Sequence, residues 1–147
     1  MDMIEGVIIQ DLKIIPDERG PVMHMLRSDS PLYSSFGEIY FSTLNPKCIK
    51  AWRRHLKMNQ HFAVPVGKIK LVIYDSRMGS RTQGMLFEYY LGPPDHYKLI
   101  KIPPLLWYGF QSLSESASLI ANMTDIPHDA AEIERAAEGS VEIPFNF

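Results

Sequence analysis

Between Cys48 and Arg77 the chain reads CIKAWRRHLKMNQHFAVPVGKIKLVIYDSR, two apolar runs joined at Gly67 and headed by a knot of ionisable side chains. Runs of this kind, rich in β-branched residues and broken by a glycine, read as strands joined by a turn. In an extended segment alternate side chains share a face, so Arg53, His55 and Lys57 are expected to point the same way as Ile49 and Ala51. If that face is interior, an imidazole flanked by two cations lines it. If it is exterior, RRHLK is a solvated basic edge. The apolar sequel around Gly67 reads as one wall of a β-barrel and favours the interior placement.

The rest of the chain has the same grammar. GVIIQDLKII (residues 6–15) ends at Pro16, where a PDERGP turn gathers Asp17, Glu18, Arg19 and Gly20. VMHMLR (22–27), EIYFSTL (38–44), MLFEYYL (85–91), YKLIKI (97–102), PPLLWYGF (103–110) and ASLIANMT (117–124) follow, separated by Pro, Gly, Ser and Asn. About ten short strands at intervals of roughly ten residues is the spacing of a sandwich or barrel, so the chain is expected to be all-β. DAAEIERAA (129–137) is expected to form one short helix, and VEIPFNF (141–147) a strand or extended tail that packs its aromatics.

A chain of 147 residues is expected to be a single domain, 1–147, with a core of its own. Its basic residues are scattered and outnumbered by acidic ones, for a net charge of -2, which argues against a nucleic-acid partner. No apolar run reaches the roughly eighteen residues a membrane span needs, and the first ten residues carry no basic region ahead of an apolar one. A cytoplasmic, unprocessed protein without a membrane partner is therefore expected. The lone cysteine, Cys48, suits a reducing compartment and reads as a small buried thiol inside a strand.

The DERG turn, the RRHLKMNQ segment running into a strand–Gly–strand hairpin that ends at Asp75 and Arg77, IPPLLWYGF, and the closing IPFNF together resemble the cupins related to dTDP-4-dehydrorhamnose 3,5-epimerase. They are also similar to the sugar-nucleotide 3,4-ketoisomerases. The resemblance runs from Gly6 to Phe147 and implies a cupin double-stranded β-helix, a jelly-roll barrel, paired into a homodimer through its N-terminal region. It implies a nucleotide-sugar substrate, most simply a dTDP-linked 4-keto-6-deoxyhexose of deoxysugar and surface-polysaccharide biosynthesis.

Metal-binding cupins carry a His-x-His pair, a Glu and a further His. By the resemblance those places fall on Arg53, His55, Gln60 and Tyr108, which leaves one good ligand beside a cation. No metal and no cofactor are expected.

The implied chemistry is removal of a proton next to a ketone, which needs a base and nearby cations. His55 is the candidate base, because its ordinary pKa of about 6.5 lies near working pH. Arg53 and Lys57 would stabilise the enolate or bind diphosphate. Asp75, on the face of Ile69, Leu71 and Ile73, is the expected acceptor that orients the imidazole, although it also stands where it could cap a turn.

The family's phenolic acid is expected on the strand LIANMTDIPHD, where this chain has Ala121 and Asn122. Tyr108 and Tyr40 are the remaining phenols, with His128 a further titratable group. Asn122, His128 and Tyr40 are read as substrate contacts, Tyr108 as catalytic. Loss of the donor is compatible with single epimerisation, with a 3,4-ketoisomerase, or with a sugar-nucleotide binding cupin without activity. By resemblance Arg19 contacts diphosphate in the partner's barrel, Arg27 being a weaker candidate. His24, His61 and His96 are read as surface or packing residues, and Trp52 as core.

Overall fold

The structure, a computed structural model, describes residues 3–147. Twelve strands run β1 (Ile8–Asp11), β2 (Ile14–Ile15), β3 (Val22–Met23), β4 (Glu38–Leu44), β5 (Ile49–His55), β6 (Gln60–Val66), β7 (Ile69–Tyr74), β8 (Leu86–Leu91), β9 (Lys98–Ile102), β10 (Trp107–Ser112), β11 (Ser118–Thr124) and β12 (Ile133–Arg135). They form two five-stranded antiparallel sheets, ordered β1-β9-β6-β11-β4 and β12-β5-β10-β7-β8, with β2 and β3 as a separate pair. The fold is thus all-β, as strand spacing leads one to expect, and is the jelly roll that the family resemblance implies.

The sheets face each other across one apolar cluster. Phe62, Val64, Ile100, Ile102 and Ile120 project from the first sheet, and Ile69, Leu71, Ile73, Tyr108 and Phe110 from the second. Two glycines are required by this packing. Gly67 turns β6 into β7 with φ of 87°, in contact with Ser118. Gly109 pairs with Ala51, and a Cβ there would stand 2.5 Å from the Ala51 Cβ.

Alternation is clearest on β4. Glu38, Tyr40, Ser42 and Leu44 turn inward while Ile39, Phe41 and Thr43 are exposed. On β5 the pairing with β10 shifts register between Ala51 and Arg53, so that Lys50, Ala51, Trp52 and Arg53 all border the interior cavity, and Trp52 also packs with Val72, Trp107 and Ile143 on the outer side. Arg54 stacks its guanidinium 4.6 Å above the Trp107 ring and pairs with Glu134 on the neighbouring β12. The C-terminal tail forms no strand: it turns at residues 141–143, where the Ile143 N–H donates to the Ser140 carbonyl at 3.2 Å, and Phe145 and Phe147 lie against Trp52 with centroids 6.2 and 5.3 Å away.

Three expectations are corrected. DAAEIERAA forms only a single 3-10 turn at Ala130–Glu132, capped by Asp129, before it becomes β12 on the edge of β5. The first long strand breaks into β1 and β2, and of VMHMLR only Val22 and Met23 are strand. Cys48 is exposed, not buried, because the turn Asn45–Lys47 ahead of β5 places it outside the ladder.

Candidate active site

His55 ends β5 and is buried, 3% exposed. Its Nδ1 meets Glu132 Oε1, and its Nε2 lies 3.1 Å from the Tyr108 hydroxyl. The other Glu132 oxygen accepts the backbone N–H groups of Leu56, Lys57 and Met58 at 3.1, 3.2 and 3.3 Å. Burial acts to raise the Glu132 pKa, but the His55 contact and these N–H groups hold it below the usual range. An ionised carboxylate only accepts, so Nδ1 carries the imidazole proton and Nε2 keeps the lone pair, which the Tyr108 O–H occupies.

Burial pushes the His55 imidazole below its ordinary value; Glu132 opposes this, and Arg53 and His128 reinforce it. The imidazole is therefore neutral at neutral pH, the protonation state a base requires. Burial also pushes the Tyr108 phenol well above the ordinary range, with Arg53 acting in the other direction.

Two cavities meet here. The larger, about 330 Å³, is lined by Tyr40, Arg53, Phe62, Tyr108, Asn122 and Arg135 among others. The smaller, about 210 Å³, is lined by His55 with Glu38, Met58, His128 and Ile133, and shares Tyr40 and Arg53 with the larger. Lys50, Arg53 and Arg135 give the larger cavity three cations, and Phe62, Phe110 and Ile120 give it an apolar wall. This mixture of apolar lining and a few placed charges is that of a small-molecule site.

The structure therefore brings together His55, Tyr108, Arg53, Tyr40, Asn122 and His128 around the two cavities. Asn122 is buried and its Nδ2 donates to the Tyr40 hydroxyl at 2.9 Å. His128 is exposed at the rim.

Two assignments are corrected. Asp75 does not orient His55; it is buried but bonded within its own loop, to Arg77 Nε at 2.9 Å and to Ser80 and Thr82 hydroxyls at 2.6 Å. Lys57 does not share the inward face, because β5 stops at His55 and the chain turns over Glu132, leaving the Lys57 side chain exposed.

Arg19 is 90% exposed and pairs with Asp17 in its own turn, and Arg27 pairs with Asp29. Neither lines either of these two cavities. His61 is fully buried, with ring nitrogens 2.7 and 3.0 Å from the carbonyls of Met123 and Leu32. Among the described residues no cluster of three His, Cys, Asp or Glu is arranged to hold a metal ion.

The sequence reading missed Glu132, and with it Lys50 and Arg135 at the larger cavity. The signal for Glu132 was a carboxylate next to a β-branched residue, in a stretch whose spacing also fits a helix.

No protein-family model matches the chain. It is 36% identical over 124 residues to the probable low-salt glycan biosynthesis epimerase Agl13 of Haloferax volcanii, covering 83% of this chain and 79% of that one. It is 31% identical over 147 residues to the spore coat polysaccharide biosynthesis protein SpsL of Bacillus subtilis, covering 99% and 97%. The crystal structure of a dTDP sugar isomerase from Desulfovibrio desulfuricans G20 is 52% identical, superposes with a TM-score of 0.96, and the match covers 97% of this chain and 91% of that one. The buried His–Glu pair beside a cationic cavity and these relatives agree with the resemblance read from the sequence: the chain belongs to the dTDP-4-dehydrorhamnose 3,5-epimerase-like cupins, a family of sugar-nucleotide isomerases.

Proposed function

We propose that this single-domain cupin epimerises a dTDP-linked 4-keto-6-deoxyhexose in polysaccharide or deoxysugar biosynthesis, with His55 removing a proton from a carbon next to the ketone. The observation that carries this is the orientation of His55: Glu132 holds Nδ1–H, so the basic Nε2 is directed to Tyr108 at the cavity wall. In the reaction the C–H bond breaks, an N–H bond forms at Nε2, and the electron pair moves to the ketone oxygen. Substrate entry displaces the Tyr108 O–H from the lone pair and frees it to donate to the enolate oxygen. Arg53, the register partner of Tyr108, supplies positive charge to the same oxygen. Lys50 and Arg135 at the larger cavity are suited to the diphosphate.

The reading includes metal-independent chemistry, a cytoplasmic protein with a free exposed Cys48, and a homodimer in which Arg19 leaves its own turn to reach the partner's substrate. The test is NMR of dTDP-4-keto-6-deoxyglucose in D2O with chelator-treated protein. Deuterium entering carbon 3 or carbon 5 together with an inverted product supports it; no exchange above the enzyme-free control removes it. A ketone moved to carbon 3 would instead assign the 3,4-ketoisomerase reaction, a reading favoured by the absence of a phenol at Ala121 and Asn122.

A further inference from the structure

Inversion returns a proton to the face opposite the one from which it was taken, and His55 serves only one face. We propose that Tyr40 is the second catalytic group, a phenol that protonates the enolate carbon from the opposite wall of the cavity. This rests on the epimerase reading and names the donor that reading lacks.

The first support is placement. Tyr40 stands on β4 in one sheet, and His55 and Tyr108 stand on β5 and β10 in the sheet that faces it. Tyr40 lines both cavities, so it borders the larger one across from Tyr108 and the smaller one that His55 lines.

The second is bonding. Asn122 Oδ1 accepts the backbone N–H of His61 at 3.0 Å, which fixes the amide with Nδ2 turned away. Nδ2 then donates to the Tyr40 hydroxyl oxygen at 2.9 Å and to Gln60 Oε1. At its contact with Asn122 the phenol oxygen is thus an acceptor, and its own O–H proton is left for the cavity. Tyr40 and Asn122 are direct register partners on β4 and β11. Where the resemblance expects a phenol on β11, this chain has an amide that grips the phenol of the next strand at the same level.

The third is elimination. Tyr108 stands beside His55 Nε2 on the base's own sheet, and its proton serves the enolate oxygen rather than the opposite face of the carbon. His128 is exposed on the rim and lines only the smaller cavity.

The step balances. After His55 has taken its proton, the Tyr40 O–H bond breaks and a C–H bond forms on the other face, using the enolate electron pair and restoring the ketone. The phenolate left behind keeps the Asn122 N–H and lies beside Arg53 in both cavities. The imidazolium loses its proton and the phenolate regains one through solvent, which resets the site.

The experiment follows wild type and Tyr40→Phe with dTDP-4-keto-6-deoxyglucose in D2O by NMR, and titrates dTDP onto both by calorimetry. Tyr40→Phe is expected to bind dTDP as wild type does, to exchange the proton that His55 removes, and to form inverted product about 100-fold more slowly or worse. A smaller loss of inversion overturns the proposal. So does loss of exchange together with inversion, or loss of dTDP binding, since Tyr40 would then serve abstraction or binding. If wild type itself forms no inverted product, the epimerase reading falls and takes the Tyr40 assignment with it; if wild type inverts and Tyr40→Phe does too, only the assignment falls.

Discussion

Glu132 and His55, 77 residues apart in the chain, meet in a buried pair whose second carboxylate oxygen gathers three successive backbone N–H groups. The turn after β5 is therefore wrapped around the carboxylate that holds the imidazole. Fold and catalytic geometry share one set of hydrogen bonds.

Replacing His55 by Asn removes the base and retains a polar side chain of similar reach. Deuterium exchange into the substrate is expected to fall by about 10²- to 10⁴-fold, with the thermal unfolding profile close to wild type. Exchange at the wild-type rate would remove His55 from the mechanism.

The pH dependence follows from burial. Because the His55 pKa is lowered from 6.5, the neutral base persists below that value, and the acid limb of kcat/KM is expected below pH 6.5. Glu132 acts to raise the His55 pKa, so Glu132→Gln is expected to move the acid limb to still lower pH while reducing the plateau. An acid limb moving upward in Glu132→Gln would contradict the pairing.

Asp75 is expected to matter for stability and little for chemistry. Burial raises its pKa, but hydrogen bonds from Arg77, Ser80 and Thr82 outweigh that and hold it well below the usual carboxylate range. A carboxyl depressed in the folded state adds stability that is complete above its unfolded pKa of about 3.9 and lost as pH falls through the folded value. Asp75→Ala leaves Arg77 without its partner and is expected to cost about 3–5 kcal/mol at neutral pH, read by denaturant unfolding, with kcat near wild type. A catalytic loss with stability retained would restore Asp75 to the site.

Ile143 is 2% exposed against Trp52 on the outer side of β5. Ile143→Ala is expected to destabilise by about 2–5 kcal/mol, measured by chemical denaturation, and to leave dTDP binding unchanged in the folded fraction.

What could be read from the sequence follows from how local each cause is. β4 is long enough for period-two alternation to declare itself, β7, β10 and β11 stand out as apolar runs bounded by turn residues, and Gly67 marks its own hairpin. Arg53 and His55 were legible because alternation puts them on one face of β5, and Tyr108 through the family resemblance and as one of two remaining phenols. Glu132 was not, because it closes a three-residue 3-10 turn that is brought to His55 by the pairing of the short β12 with β5, a contact no local pattern encodes. Lys57 lies past the end of β5, where the chain turns over Glu132 and strand alternation no longer sets the side-chain direction. Asp75 has the burial its phase implied, but its partners are the loop residues directly after it.

The adjacent arginines of β5 answer to separate demands. Arg53 looks into both cavities, while Arg54 is clamped outside between Trp107 and Glu134. Selection for a new sugar can therefore rewrite the inward positions of this strand one at a time, while the outward residues keep its register for whatever chemistry comes next.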